Sequence, residues 1–429
     1  VLSLTNVNVL SNTISGAGSF YGGGVYAGGA LSLTGGLVQN NNAGSSVGYG
    51  GGVYANGGAV ISGTQLVNNQ ASYSGGGLYV KETGVRQIDN AVFIDNFIST
   101  NSDGRYGGGA YVNGGATTIT GSRFEGNRAY SGGGLYHHNS GSNVQLTLRD
   151  MQFIANFASY GGGGLYDNGV NLSIANALMN RNAAPLGEAI FMQGYNAGGT
   201  PLHSAILLYT TIVSPTTSAN SPLRFVSLAS ATVKNSILAN HATAFSGGSA
   251  VTSDYNLFYN TGSTAVTGTH SISGTNPLFF DPAGGNYRLQ PGSPAIGAGI
   301  AVKGVTTDLD GLTRFDPPSM GAYEDPFYPY DVNLTNLEPE SGALAPDFAP
   351  RTTRYTVRVA NNVTSIALRP TASSPVATIT VGGVGVASGA WSSAMPLAVG
   401  QNIITTSVTA TDTVTVKHYV VTVIRTGAD

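Results

Sequence analysis

The sequence predicts an all-β protein, in which a right-handed parallel β-helix (a solenoid) is followed by a C-terminal β-sandwich. Three observations support this fold class. A run of glycines closed by an aromatic residue recurs about every 27 residues, the segments between the runs alternate apolar and polar residues, and glycine becomes scarcer after residue 333. A period of about 20–50 residues marks a repeat architecture, and alternation with period two marks half-buried strands.

The composition excludes several other classes of protein. Charged residues make up 9% of the 429-residue chain, against roughly 25% in ordinary soluble proteins, but a hydrophobic fraction of 41% argues against disorder. No apolar run approaches the roughly 18 residues that a membrane-spanning helix needs. The net charge of −3 provides no basic surface for nucleic acid. Cysteine is absent, which excludes disulfides and thiolate metal sites and suits an exported bacterial protein.

The glycine runs define one strand of each repeat unit. Examples are YGGGVYAGG from Tyr21, YGGGVYANGG from Tyr49 and YGGGAYVNGG from Tyr106. The closing aromatic residue is followed within a few positions by Gly-Gly or Asn-Gly, where a positive φ is easily reached. Unequal spacing between the runs indicates that loops of variable length are inserted into a constant unit. Phe191 closes a decayed seventh run, and the other closing residues are Tyr26, Tyr54, Tyr79, Tyr111, Tyr136 and Tyr166.

Two further strands complete the predicted unit. An alternating segment follows each run, as in ALSLTG at 30–35 and VQLTLR at 144–149. Before each run, an apolar residue is followed three positions later by asparagine. Side-chain amides that repeat on successive coils can form a hydrogen-bond ladder. We therefore predict a structural ladder formed by Asn12, Asn40, Asn69, Asn96, Asn127 and Asn156.

The unit thus has three short strands separated by turns, and no segment has helical periodicity. Without helices to connect them, strands of one repeated register predict parallel coils that stack about 4.8 Å apart. The glycines would provide a tight bend and let the backbones of neighbouring coils come close together. They are not predicted to bind phosphate, because no helix follows them.

Two sets of motifs resemble those of bacterial surface proteins. Gly108-Gly109-Ala110 and motifs such as Phe93-x-x-Asn96 resemble the GGA and FxxN repeats of polymorphic outer-membrane proteins. The segments NPLFFDPAGGNYRLQPGSPAIGAG (276–299) and DLDGLTRFDPPSMGAYE (308–324) resemble the close of the β-helix in choice-of-anchor Q proteins. The second resemblance implies an exported protein attached to the cell surface, and it implies no reaction.

A domain junction is predicted at DPFYPYDVN, which is rich in proline and aromatic residues. We assign the β-helix to residues 1–325, the linker to 326–333 and the sandwich to 334–429. From Leu334 onward, short strands follow each other at roughly 10–20-residue spacing, a rhythm typical of an immunoglobulin-like β-sandwich.

The start of this C-terminal region resembles that of bacterial cadherin-like domains. The resemblance lies in a motif of leucine, proline and aromatic residues, formed here by Leu344, Pro346, Phe348, Pro350 and Tyr355. It implies a cadherin-like β-sandwich that acts as a spacer or an adhesive module. The calcium-binding motifs of true cadherins are absent from this sequence.

Three groups of charged or titratable residues could carry chemistry. His137-His138 could bind a metal together with Asp167 of the next coil, but a polar turn is the favoured interpretation. Asp308 and Asp310 suggest a fragment of a calcium loop, but the glutamate of an EF-hand is missing. We interpret them as partners of Arg314 in a closing coil. The third group would form a solvated patch or, if it gathered in a groove, an enzyme site: Lys81, Glu82, Arg86, Asp89, Asp95, Asp103 and Arg105.

The tyrosines that close the glycine runs are predicted to form an outward-facing column. A second set precedes the runs: Tyr21, Tyr49, Tyr73, Tyr106, Tyr130 and Tyr160. One interpretation is mutual stacking that stabilises the coils by about 0.5–1.5 kcal/mol per pair. The other is an aromatic strip that contacts a sugar, a protein or another subunit. Both can hold together.

We therefore predict a secreted or cell-surface protein with a structural or adhesive role, no enzymatic activity and no metal or cofactor. The alternatives are a polysaccharide lyase or glycoside hydrolase, and a glycan-binding adhesin without turnover. The expected partners are further copies of the chain, surface glycans or proteins of a host or neighbouring cell. A leader is expected to have been removed before Val1, where the chain opens in a strand. An open coil edge invites pairing, so either a cap before Val1 or another subunit is expected to cover the first coil. We predict the second arrangement, a head-to-tail filament.

Overall fold

A computed structural model describes residues 1–44, 47–81, 84–100, 102–139, 144–169, 171–194, 196–197, 200–201, 203–262, 268–325 and 328–427. The described chain is all-β: a parallel β-solenoid is followed by a β-sandwich, and the sole helical element is a 3-10 turn at Tyr328–Tyr330. The predicted fold class is confirmed. Pro326 and Phe327 of the predicted linker lie outside the described residues.

The largest sheet of the solenoid, called here the bent sheet, contains two consecutive strands of each coil. Two residues separate the two strands in the early coils, and the first of them has a positive φ, as at Asn90 and Gly121. From Gln145 onward, some of these strand pairs continue as one long strand. Its strands are Leu2–Thr5, Asn8–Leu10, Leu31–Thr34, Leu37–Gln39, Ala59–Ser62, Gln65–Val67, Arg86–Asp89, Val92–Ile94, Thr117–Thr120, Arg123–Glu125, Gln145–Ile154, Asn171–Asn180, Ser204–Ser218, Ser230–Lys234, Ile237–His241, Val251–Asp254, Leu257–Thr261 and Ile272–Ser273.

Two other parallel sheets complete the coils. The tyrosine sheet contains the strands that close the glycine runs: Val25–Ala27, Val53–Ala55, Leu78–Val80, Ala110–Asn113, Leu135–His138, Leu165–Asn168, Ile190–Gln193, Leu223–Val226 and Phe245–Ser246. The short sheet contains Thr13–Ile14, Asn42–Ala43, Gln70–Ala71, Phe97–Ile98, Arg128–Ser131 and Phe157–Gly161. Ser19–Tyr21 pairs with Val47–Tyr49, and Asn196–Ala197 with Thr200–Pro201. The early coils therefore have four strands where the sequence predicted three, because the short-sheet strands are too brief to show alternation.

The lumen of the solenoid is a continuous apolar core. Every second residue of each strand points inward, so equivalent positions of successive coils lie on top of one another. The Phe-x-x-Asn motifs show this clearly, because Phe93, Phe124 and Phe153 stack in the lumen with ring centroids 4.4 and 5.1 Å apart. The motif phenylalanine is thus a core residue.

The glycine runs are coil-to-coil contacts of the backbone. In Gly132-Gly133-Gly134 the first glycine has a φ of +65°, which makes the bend. A Cβ atom on Gly134 would lie 2.6 Å from the carbonyl oxygen of Gly164 on the next coil. Real Cβ atoms do not come this close to a carbonyl oxygen, so only glycine permits this spacing.

A ladder of asparagine side chains runs along the corner between the bent and short sheets. In each step, the backbone amide and Nδ2 of one asparagine donate to Oδ1 of the next, as from Asn69 to Asn96 at 3.0 and 2.9 Å. Nδ2 of Asn69 also donates to the carbonyl oxygen of Val38 at 2.8 Å. The structure places seven residues in this ladder: Asn12, Asn41, Asn69, Asn96, Asn127, Asn156 and Asn182.

Asn40, one of the six residues predicted for the ladder, does not belong to it. Asn40 occupies the exposed corner just before the ladder, with a φ of +57°, and Asn41 takes the ladder position. The pairing of Val9 with Val38 fixes this register, since Val38 points inward and Leu37 does not. Asn182 was missed, although it follows the apolar Met179 by three positions.

The segment from 276 to 325 does not form a closing coil, contrary to the sequence interpretation. It makes the antiparallel hairpin Phe279–Asp281 and Asn286–Leu289 and then continues without regular strands. Its apolar side chains, such as Tyr287 and Met320, pack on the outer surface of the bent sheet against Leu178 and Ile237. This segment therefore covers the side of the last coils.

The C-terminal unit is a β-sandwich with its own core, in which Tyr355, Val357 and Tyr419 are buried. Its larger sheet contains Arg354–Val359, Val416–Arg425, Gly400–Thr409, Thr378–Val381 and Val384–Val386. Two antiparallel pairs complete it, Leu334–Pro339 with Leu368–Ala372 and Ser365–Ile366 with Met395–Pro396.

The ladder can be tested by one substitution and a matched control. Asn96→Ala removes the acceptor for both donors of Asn69 in a buried corner, so we expect a loss of about 2–4 kcal/mol in the free energy of unfolding. Asn40→Ala should cost less than about 1 kcal/mol, because Ala155 already occupies the equivalent exposed corner of another coil. Denaturant unfolding followed by circular dichroism measures both values. Equal losses in the two variants would contradict the assignment of Asn41 and Asn96 to the ladder.

Candidate functional site

The closing tyrosines form a stacked column on the outer surface of the tyrosine sheet. Neighbouring ring centroids are 4.8–5.6 Å apart with interplanar angles of at most 17°. Tyr54, Tyr79, Tyr111, Tyr136 and Tyr166 are each 4–9% exposed, whereas Tyr26 at the end of the column is 56% exposed. The column thus faces outward, but mutual stacking covers all its ring faces except at the Tyr26 end.

The second set of tyrosines does not form one column, because its members occupy two register positions. Tyr21, Tyr49 and Tyr106 precede their closing tyrosine by five residues, and each packs on the closing tyrosine of the next coil at 4.4–5.2 Å. Tyr73, Tyr130 and Tyr160 precede theirs by six residues. Since the register of the coils is fixed, this offset of one residue moves a side chain to a different place on the surface.

Because of this offset, serine or glycine occupies the register position from which a tyrosine would pack on the next coil. Backbone pairing aligns Tyr106 with Ser131, and Ser131 with Gly161. Tyr166 is stacked on Tyr136 of the preceding coil at 5.0 Å, but Ser131 stands at the position from which Tyr106 packs on Tyr136 at 4.4 Å. The displaced Tyr130 stacks on Tyr160 instead, with centroids 5.4 Å apart.

The result is an open groove of about 270 Å³ on the tyrosine face. It is lined by Asp103, Tyr106, Tyr130, Ser131, Tyr136, Tyr160, Tyr166 and Asn168. Asp103 reaches it from the long loop before the fourth glycine run, and its Oδ1 accepts hydrogen bonds from the amide of Gly104 (2.8 Å) and the hydroxyl of Tyr106 (3.4 Å). Asn168 donates from Nδ2 to the hydroxyl of Tyr136 at 3.4 Å.

Burial raises the pKa of Tyr54, Tyr106 and Tyr111 on this face above the ordinary value of a tyrosine. The carboxylate of Asp103 raises the pKa of Tyr106 further. The pKa of Tyr54 is raised to about 12. The hydroxyl groups of these three tyrosines therefore stay protonated well above neutral pH and can both donate and accept hydrogen bonds.

The charged group considered as an enzyme site is spread over several surfaces. Arg86 points inward and is 5% exposed, with its Nη1 donating to the carbonyl oxygen of Gly84 at 3.0 Å. Asp89 accepts a hydrogen bond from Thr120 on the bent sheet. Asp95 lies at the exposed corner next to the asparagine ladder, whereas Asp103 and Arg105 belong to the loop at the tyrosine face. Lys81 follows a strand of the tyrosine sheet, and Glu82 lies outside the described residues.

His137 and Asp167 meet inside the solenoid, not on a polar turn. Both are fully buried at equivalent inward positions of neighbouring coils, with Nδ1 of His137 3.5 Å from Oδ1 of Asp167. Nε2 of His137 is 3.1 Å from the hydroxyl of Thr117. Burial raises the pKa of Asp167, with the nearby His137 and His203 acting in the opposite direction. Across the described ranges, no three histidine, aspartate or glutamate side chains are grouped so as to hold a metal ion.

Among the described residues, neither Asp308 nor Asp310 forms an ion pair with Arg314, although the charge of Arg314 acts to lower the pKa of Asp308 against the larger effect of burial. Asp310 pairs with Arg288, whose Nε lies 2.7 Å from its Oδ2, and Asp308 accepts backbone amides, including that of Glu324 at 2.7 Å. Arg314 is buried over the ring of Tyr209, with its guanidinium carbon 3.8 Å from the ring centroid.

Arg314 has a carboxylate partner from the end of the same motif. Its Nη1 lies 3.6 Å from Oε2 of Glu324, and its Nη2 donates to Oδ1 of Asn176 at 3.0 Å. The motif therefore attaches the segment from 276 to 325, called here the outer segment, to the bent sheet.

Comparison with known proteins identifies the C-terminal unit. Residues 331–426 match the family described as the cadherin-like beta sandwich domain. No curated protein matches the chain. The protein thus combines a parallel β-solenoid with a C-terminal cadherin-like β-sandwich domain. Within the described residues, no helix has the length and apolar character needed to cross a membrane.

Proposed function

We propose that the protein is a non-enzymatic structural or adhesive component of a bacterial cell surface, of the choice-of-anchor Q type. Its solenoid would serve as a rigid stalk that carries the cadherin-like domain. The observation that carries this proposal is the continuous stack of core, asparagine and tyrosine side chains along the coils. Such a stack suits mechanical rigidity, and the cadherin-like sandwich suits an extracellular location.

The dispersal of charged residues supports a role without turnover. Glycoside hydrolysis generally needs two carboxyl groups on either side of the scissile bond, about 5–9.5 Å apart. Asp103 is the single carboxylate that lines the groove on the tyrosine face. Arg105, the nearest candidate for a lyase base, lies over the ring of Tyr73 at 4.2 Å and donates from Nε to Thr100.

A polysaccharide panel separates this proposal from an enzyme. Purified protein incubated with acidic and neutral polysaccharides, with and without calcium, should release no reducing ends and no unsaturated products, because the groove lacks a second carboxylate. Chromatography of the products provides the measurement. Sustained product formation that Asp103→Ala or Arg105→Ala abolishes would overturn the proposal.

We further propose that copies of the chain assemble head to tail. The strands of the first described coil, Leu2–Thr5 and Asn8–Leu10, pair with the second coil on one side, and no other described strand pairs with their second edge. Leu4 and Val9 of this coil are half-buried against the core. The low charge of the chain weakens the repulsion that normally protects such edges. A contact between this edge and the C-terminal region of another copy would not close on itself and would propagate.

Electron microscopy and light scattering of the purified chain test the assembly. We expect filaments whose mean length grows with protein concentration, because a heterologous contact adds one copy at a time. Leu4→Lys should shorten them by placing a charge at the pairing edge. A strictly monomeric particle at high concentration, with the N-terminus intact, would contradict the assembly.

A further inference from the structure

We infer that the groove on the tyrosine face is a binding site for a neutral carbohydrate. The inference deepens the proposed adhesive role by naming a site and a class of ligand. It does not depend on filament formation. If the protein binds no sugar, this inference is overturned, but the proposed structural role still stands.

The groove lies beside Ser131, at the register position that Tyr106 occupies on the preceding coil. In three coils a tyrosine packs on the closing tyrosine of the next coil, whereas Ser74 and Ser131 take that position in the coils before Tyr111 and Tyr166. The space left between Tyr106, Tyr136, Tyr160 and Tyr166 is about 270 Å³. A space of this volume with aromatic walls can hold a six-membered ring, and a pyranose chair can place an apolar C–H face against a tyrosine ring.

The lining selects a ligand rich in hydroxyl groups. Five phenol groups, a carboxylate, an amide and a serine surround the space, so donors and acceptors stand beside aromatic carbon atoms. Within the described residues, the hydroxyls of Tyr130 and Tyr160 and Oδ2 of Asp103 make no hydrogen bond. A sugar presents both hydroxyl groups and apolar C–H faces, and it satisfies both kinds of surface. Ligand sites commonly combine aromatic walls with a few polar groups in this way.

The charges select a neutral ligand over an acidic one. Asp103 is the one charged residue of the lining, and its carboxylate repels a uronate or a sulfate at close range. Arg105, the neighbouring cation, is directed at Tyr73 with its guanidinium carbon 4.2 Å from the ring centroid. The carboxylate is well suited to accept hydrogen bonds from sugar hydroxyls.

The site can be tested by filling the groove and by removing its polar groups. The probes are cellohexaose, xylohexaose, maltohexaose, chitohexaose and hexagalacturonate, with affinity measured by isothermal titration calorimetry. We expect at least one neutral hexasaccharide to bind and hexagalacturonate not to bind. Ser131→Tyr should abolish binding, because other coils already have a tyrosine at this register position. Tyr130→Ala and Asp103→Asn should each weaken binding at least fivefold.

Tyr26→Ala is the matched control, since it removes an exposed tyrosine of the same face outside the groove. Its affinity should equal that of the unmodified protein. Thermal unfolding shows whether Ser131→Tyr folds, and if it does not, Tyr130→Ala and Asp103→Asn decide. The inference is overturned if no neutral hexasaccharide binds at millimolar concentration. It is likewise overturned by stronger binding of hexagalacturonate, or by groove variants that bind as Tyr26→Ala does.

Discussion

The structure depends on one constraint, the unchanging register of backbone hydrogen bonds between neighbouring coils. The glycine runs meet this constraint most strictly, as their amides donate to glycine carbonyls of the next coil at 2.9–3.1 Å, for example from Gly51 to Gly75 and from Gly108 to Gly132. With the register fixed, every equivalent side chain lies over its neighbour. The asparagine ladder, the phenylalanine stack and the tyrosine column all follow from that alignment.

The same constraint explains where the regularity ends. A residue displaced by one position cannot move the coils, so it changes the surface instead. Tyr130 and Tyr160 are displaced in this way, and the groove beside Ser131 is the consequence. In the later coils Glu188 and Ala189 replace glycines, and the buried carboxylate of Glu188 lies 3.3 Å from Nδ1 of His241. The groove and the buried pair of Glu188 and His241 thus both lie where the sequence departs from the repeat.

Much of the fold could be predicted because period and alternation are local signals. The exact ladder residue could not, since Asn40, Asn41 and Asn42 follow one another and only the pairing of Val9 with Val38 selects among them. The partners of Asp310 and Arg314 depend on how the outer segment packs, which spacing does not determine. The six-residue spacing of Tyr130 and Tyr160 is visible in the sequence. Only the register of the coils shows that this spacing opens a groove.

We conclude that the glycine runs, which in sequence look like flexible linkers, are among the most tightly paired parts of the chain. Amide hydrogen exchange measured by mass spectrometry tests this conclusion most directly. We expect the runs at 50–52, 75–77, 107–109 and 132–134 to exchange as slowly as the buried strand Val92–Ile94. Exchange of these runs within seconds, while the strands between them stay protected, would contradict it.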